Sequence, residues 1–223
     1  MQHMPRILCV VFLALLPFAN SSSQETRNDL TVDEKIYGLS LIWQEANYNF
    51  AFFDQVPDLD WDSTYRSFIP RVMSAETVYD YYRELQRFMA HLNDGHSNIY
   101  LPEYLYDSLS FPKIVLGDIG NRAIVENVDR SLEKQIPMGS EILEVDGSIT
   151  NEHITEKVLP YISSSTDYIR IERGIQWMLR GWINTTVTVS FRAPDGRTDK
   201  FELIRNREGV DWLKSRELYH EFV

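Results

Sequence analysis

The stretch "MAHLNDGHSNIYLP", residues 89–102, is where the lettering of this chain changes from helical to extended. Upstream of it, apolar residues recur every three or four positions. Downstream they come in short runs broken by turn residues. The triplet Asn93-Asp94-Gly95 marks the break, since these three residue types favour a turn and glycine takes a positive φ without strain. His96 then falls just past a helix C-terminus, at the entry to a short extended segment. The six residues 91–96 hold His91 and Asp94 as well.

Working back from this junction, the spacing predicts three helices. "TVDE" supplies a capping box, Thr31 with Glu34, ahead of Ile36, Leu39, Trp43, Ala46 and Phe50 on one face. A shorter helix starts with Asp60 as its cap and carries Trp61, Tyr65 and Phe68 towards Pro70. A third begins near Ser74 and sets Val78, Tyr82, Leu85, Met89 and Leu92 on one stripe. Working forward, "KIVLG", "RAIVENV" and "SEILEVDG" read as strands, with Asp146-Gly147 as a tight turn. Helices are expected over 152–161 and over 167–179, the second stopped by Gly181. "TTVTVSF" and "DKFELI" flank "APDGRT" as a hairpin. The fold class is therefore α+β: a helical region over 30–110, a compact α+β domain over 112–206, and a linker or the start of a further domain over 207–223.

Composition agrees with a globular protein. Of the 223 residues, 43% are hydrophobic and 13% aromatic, with only 10 Gly and 9 Pro to suggest disorder or a fibrous repeat. A formal charge of −11 and the lack of a basic stripe argue against nucleic acid as a partner, because that affinity comes from Lys and Arg displacing counterions. Residues 1–23 hold Arg6, the apolar run "ILCVVFLALLPFA" and the small polar "NSSS", the pattern of a signal peptide. A bilayer span needs roughly 20 apolar residues, so export to a secreted or periplasmic location is expected, with no stable span after cleavage. Cys9 is the only cysteine and sits inside this leader, which leaves the mature chain no disulfide or thiolate site.

Two chemistries compete at the junction. His91, Asp94 and His96 are all competent metal ligands. Two histidines on one helix face need i, i+4 spacing, however, and here the helix breaks between them, so no metal site and no cofactor are expected. His96 reads either as a turn residue bonded to nearby backbone or as a general base, since imidazole titrates near neutrality. A base needs a nucleophile. Ser97 is adjacent, and on an extended segment neighbouring side chains point to opposite faces. Ser163, Ser164 and Ser165 read as helix-capping residues, and no Gly-x-Ser-x-Gly elbow occurs.

The succession of exported leader, helical segment "LIWQEANYNFAFFDQ", junction "LNDGHSNIYLP" and α+β block with "GSEILEVDGSIT" resembles the front part of the C-terminal processing peptidases, or tail-specific proteases, especially their tricorn-core-like branch. The resemblance spans roughly residues 35–206. Family members carry Gly-Asp-x-Ile-x-x-Val-Asp-Gly in a PDZ-like domain; here it reads Gly139 to Gly147, with Ser140 in place of the usual Asp. The resemblance implies a PDZ-like domain over 112–206 and a peptide or protein segment as substrate. It implies His96 as catalytic base in the tricorn-like branch, whereas in the lysine-dyad branch this histidine is not the base. The nucleophile serine is implied downstream, in a core that follows the PDZ-like domain, and this chain alone is expected to be catalytically silent. The PDZ-like block implies a second activity, capture of an extended peptide on a sheet edge. The stretch Leu116 to Gly120 is the candidate carboxylate loop by position. Two other readings stand beside the protease: a non-catalytic peptide-binding protein, and an inactive homologue.

Overall fold

The computed structural model describes residues 29–214. The expected leader with Cys9, and the chain beyond Lys214, lie outside the described residues. Helix α1 (Val32–Asn49) starts on the expected capping box: Thr31 Oγ1 accepts from the Glu34 amide at 3.3 Å and the Glu34 carboxylate accepts from the Thr31 amide at 2.8 Å. It buries Leu39 and Ala46, together with the stem of Lys35, whose Nζ donates to Ala75 O at 2.7 Å. Helix α2 (Trp61–Met73) is capped by Asp60, which accepts from the Ser63 amide. It runs through Pro70 to Met73 instead of stopping at the proline. Pro70 faces solvent, so the bond it cannot make to Arg66 O is left to water. Buried Val72 and a two-point ion pair from Arg71 to Glu84 (2.6 and 3.2 Å) hold the last turn in place.

Helix α3 (Val78–Ala90) begins four residues later than the spacing suggested. Thr77 and Asp80 form a second capping box that fixes the start, while Ser74 caps the end of α2. The buried stripe includes Tyr81, not Tyr82, along with Val78, Leu85, Phe88 and Met89. A shift of one position turns a helical side chain by about 100°, which takes Tyr82 partly into solvent. The Tyr81 hydroxyl donates to Lys35 O at 3.2 Å. Burial, with some help from the neighbouring Tyr82, pushes its pKa up to about 12. The three helices enclose one core, which includes Leu39, Trp61, Phe68, Val72, Phe88 and Leu92.

A single turn, α4 (Glu103–Tyr106), leads into β1 (Leu109–Ser110) and then into the sheet. There β2 (Ile114–Asp118), β3 (Ala123–Val128), β4 (Glu141–Val145) and β5 (Ser148–Ile149) precede helices α5 (Thr150–His153) and α6 (Asp167–Trp177). Strands β6 (Gly181–Trp182), β7 (Thr186–Arg192) and β8 (Thr198–Ile204) complete the fold. The main sheet is antiparallel in the order β2-β3-β4-β7-β8, with β5 on β4. Asp146 (φ 48°) and Gly147 (φ 82°) both take left-handed conformations, which the right-handed twist of a two-residue hairpin requires. Alternate residues Val187, Val189 and Phe191 of β7 point into the second core with Ile142, Val145 and Leu203. This is the expected α+β class, a helical region followed by a PDZ-like domain.

Two further elements differ from expectation. The helix over 152–161 is a turn of α5, a π-helical turn at Ile154–Val158 and a 3₁₀ turn at Leu159–Tyr161. Pro160 has no N–H to continue an α-helix. Gly181 does not simply stop α6, which ends at Trp177; it pairs with Ser110 in the β1–β6 ladder. Ser140, at the position where the resemblance sets an Asp, is fully buried, and its hydroxyl donates to Pro137 O at 2.7 Å. An ionised carboxylate cannot donate to that carbonyl.

Candidate functional site

The junction is built by the way α3 ends. The amides of His91, Leu92 and Asn93 bond back to Phe88 O, Met89 O and Ala90 O, while Leu92 plugs into the helical core. The left-handed residue that turns the chain is Asn93 (φ 48°), not Gly95, because asparagine tolerates that region when it ends a helix. A tight turn follows: the Ser97 amide donates to Asp94 O at 3.3 Å, Ser97 Oγ donates to the Asp94 carboxylate at 2.6 Å, and Asn98 Nδ2 donates to Gly95 O at 2.8 Å. Residues 97–102 pair with no strand. They are tied down instead where Gln86 Nε2 donates to Ile99 O at 2.9 Å.

His96 stands at the exposed tip of this turn, and its ring forms no hydrogen bond among the described residues. Neither nearby serine is poised against it. Ser97 is committed to Asp94, and Ser163 donates its hydroxyl to Asp94 O at 2.7 Å. The expected capping role of the serine run falls to Thr166, which accepts from the Ile169 amide. His91 is also exposed, with its ring edge-on to Phe68 at 5.6 Å. Loss of water around part of that ring, then the charges of Arg87, Arg71 and Arg170, hold its pKa below the usual histidine range. His91, Asp94 and His96 are not brought together: among the described residues no group of three His, Cys, Asp or Glu is arranged to hold a metal ion.

Beside the turn runs a cleft of about 450 Å³ between the C-terminal half of α1 and the end of α3. Ile42, Phe50, Leu92 and Ile99 give it apolar walls, and Asp94 and Ser97 a polar end. A second cleft, of about 510 Å³, lies elsewhere around Lys113, Asp129 and Asp211. One of its carboxylates is already engaged: Asp129 accepts from Ser131 Oγ (2.6 Å), the Asp211 amide (2.7 Å) and the Ser131 amide (2.9 Å). The Ser131 hydroxyl first, and the Asp211 amide next, hold its pKa below the usual carboxylate range. A depressed folded value stabilises the protein above the unfolded value of about 3.9, and that contribution is lost as pH falls through the folded one. Acid titration of stability should therefore fall less steeply below about pH 4 in Asp129→Asn than in the wild type. Identical acid limbs would contradict the assignment.

The second site element is the edge of β2, where the carboxylate loop was expected at Leu116 to Gly120. Leu116, Gly117 and Asp118 belong to the strand itself, and Gly120 takes a positive φ of 63° in the turn beyond it. Ile119 N donates to Arg122 O, whereas Val125, opposite Leu116, bonds to Ser140 and Gly139 on its other side. Antiparallel ladders alternate, so the backbone groups of Leu116 and Asp118 face away from β3, along an edge beside which α6 packs. Nearer the strand's start, Arg207 donates to Pro112 O (3.0 Å) and Ile114 O (2.7 Å) and covers that part of the edge.

No protein-family model and no curated protein matches the sequence. Solved structures do match. Mature CPAF complexed with lactacystin superposes with a TM-score of 0.62 at 15% identity, over 83% of this chain and 35% of that one. The chain thus spans about a third of the CPAF chain it matches. The photosystem II D1 C-terminal processing protease overlaps with a TM-score of 0.38 at 13% identity, over 79% of this chain and 45% of its own. The PDZ domain of a carboxy-terminal protease from Vibrio cholerae, in complex with peptide, overlaps with a TM-score of 0.29 at 14% identity, over 48% of this chain and 98% of its own. The last two overlaps are too loose to define a shared fold. By fold, the chain is a helical region joined to a PDZ-like domain. More particularly, it shares the architecture of the matched part of mature CPAF. No helix among the described residues is long and apolar enough to cross a membrane.

Proposed function

We propose that this chain is part of an exported serine endopeptidase of the tail-specific class, acting on unfolded or C-terminal protein segments. The observation that carries the reading is the fold shared with mature CPAF over 83% of the chain, with His96 exposed at the turn that ends the helical region. In this reading His96 takes the proton of a serine supplied from outside the described residues. Ser97 and Ser163 are already engaged. Attack of that serine on the scissile carbonyl forms an acyl-enzyme, and His96 returns the proton to the leaving amine. The substrate lies as an added strand along the outward edge of β2 at Leu116–Asp118, beside α6.

A fluorophosphonate probe tests the chemistry. Labelling of the complete gene product is expected, with labelling slowed strongly in His96→Ala; no labelling of the wild type would overturn the reading. A titration of the isotope-labelled chain with an extended peptide tests the edge. Amide shifts should concentrate on Leu116–Asp118 and α6. Shifts confined to β8, the opposite edge of the sheet, would refute the placement.

One observation favours a second reading, a peptide-binding protein without chemistry. Asp94, the nearest carboxylate in sequence, is bonded to Ser97, and no acid among the described residues hydrogen-bonds the His96 ring. Peptide binding without probe labelling is its signature.

A further inference from the structure

The His96 turn is held from the other half of the molecule. Asp94 O closes the turn by accepting the Ser97 amide, and it also accepts Ser163 Oγ at 2.7 Å from 69 residues away. Ser163 is 3% exposed, so its hydroxyl has no water to fall back on if that bond is lost. The segment around Ser163 is itself gripped. Arg170 Nη2 donates to Leu159 O at 3.0 Å and Arg173 Nη1 to Ser163 O at 3.4 Å, both arginines coming from α6. On the other side, the guanidinium of Arg83 in α3 lies 3.5 Å from the centre of the Tyr161 ring. Residues 159–163 therefore form a strap that links α6, which packs against the β2 edge, to the carbonyl two residues before His96.

We propose that Ser163 is a positioning residue for His96, fixing the Asp94–Ser97 turn to the strap and so to α6. The inference deepens the proposed function and rests on the reading of His96 as the base. Without Ser163, Asp94 O keeps, among the described residues, only the Ser97 amide at 3.3 Å, just beyond the usual hydrogen-bond range. The turn then keeps its internal bonds, from Ser97 Oγ to the Asp94 carboxylate and from Asn98 Nδ2 to Gly95 O, and loses its tie to the strap.

The test is ¹⁵N relaxation on the labelled chain, comparing wild type with Ser163→Ala, Ser163→Cys and Thr166→Ala. Cysteine keeps the side chain's size and offers only a weak donor, which guards against a variant that fails to fold. Thr166→Ala removes the neighbouring helix cap without touching Asp94. Backbone order parameters of His96 and Ser97 should drop from the rigid range near 0.85 towards the flexible range below about 0.6 in both Ser163 variants. They should stay in place in Thr166→Ala, with α3 unaffected throughout. A folded Ser163 variant with unchanged His96 and Ser97 values overturns the inference, as does an equal loss in Thr166→Ala. This readout does not depend on catalysis, so loss of the base assignment for His96 and loss of the Ser163 link are told apart.

Discussion

Replacing His96 by alanine is expected to lower turnover of an unfolded peptide by the complete gene product by roughly four orders of magnitude or more. The physical reason is that a serine hydroxyl is a weak nucleophile until a base removes its proton, and the same imidazole must later protonate the leaving amine. The loss should appear in kcat, with KM little changed, because the exposed ring at the turn's tip has no part in the β2 edge proposed to hold the substrate. Its fold should be intact, since the ring makes no hydrogen bond among the described residues and removing it exposes no buried partner. Retained activity would assign proton transfer to another group and leave His96 a turn residue.

The second large effect concerns stability. Phe88→Ala should cost about 3–5 kcal/mol, the range for deleting a large buried ring. Phe88 is fully buried, stacks on Trp61 at 4.2 Å between ring centres and meets Phe68 at 5.3 Å. The cavity would open where α2 and α3 cross, and neither aromatic neighbour can fill it without leaving its own contacts. Domains are stable by only about 5–15 kcal/mol, so the helical region is expected to approach unfolding at ambient temperature. Denaturant unfolding followed by tryptophan fluorescence reads this, since Trp61 lies in the helical core and Trp43 packs against it. A cost under about 1 kcal/mol would mean that Phe88 is not the centre of that core. The His96 turn should loosen together with α3, since Leu92 anchors it to the same core.

What was legible in the sequence is what is decided within a few residues. Thr31 with Glu34 and Asp60 with Ser63 are local hydrogen bonds, and both helix starts fell where these residues stand. Asp146-Gly147 specified its hairpin because the two-residue turn needs φ > 0 at both positions. The alternation of Val187, Val189 and Phe191 marked a half-buried strand in the same way. Misreadings arose where two local signals competed. Thr77 outbid Ser74 for the third helix start because it alone has a carboxylate three residues on. Asn93 took the left-handed position that Gly95 also offered, since the helix ended two residues earlier.

The sequence by itself determined the α+β division, the caps, the turns and the place of His96 at a helix end, because each depends on neighbours along the chain. Only the tertiary structure decided what surrounds that histidine. Ser163 reaches Asp94 across 69 residues, Lys35 reaches Ala75 across 40, and α6 comes to lie beside the β2 edge. No local pattern encodes such pairs. They form when two cores, each burying its own apolar stripe, bring polar groups together that must then satisfy one another out of water.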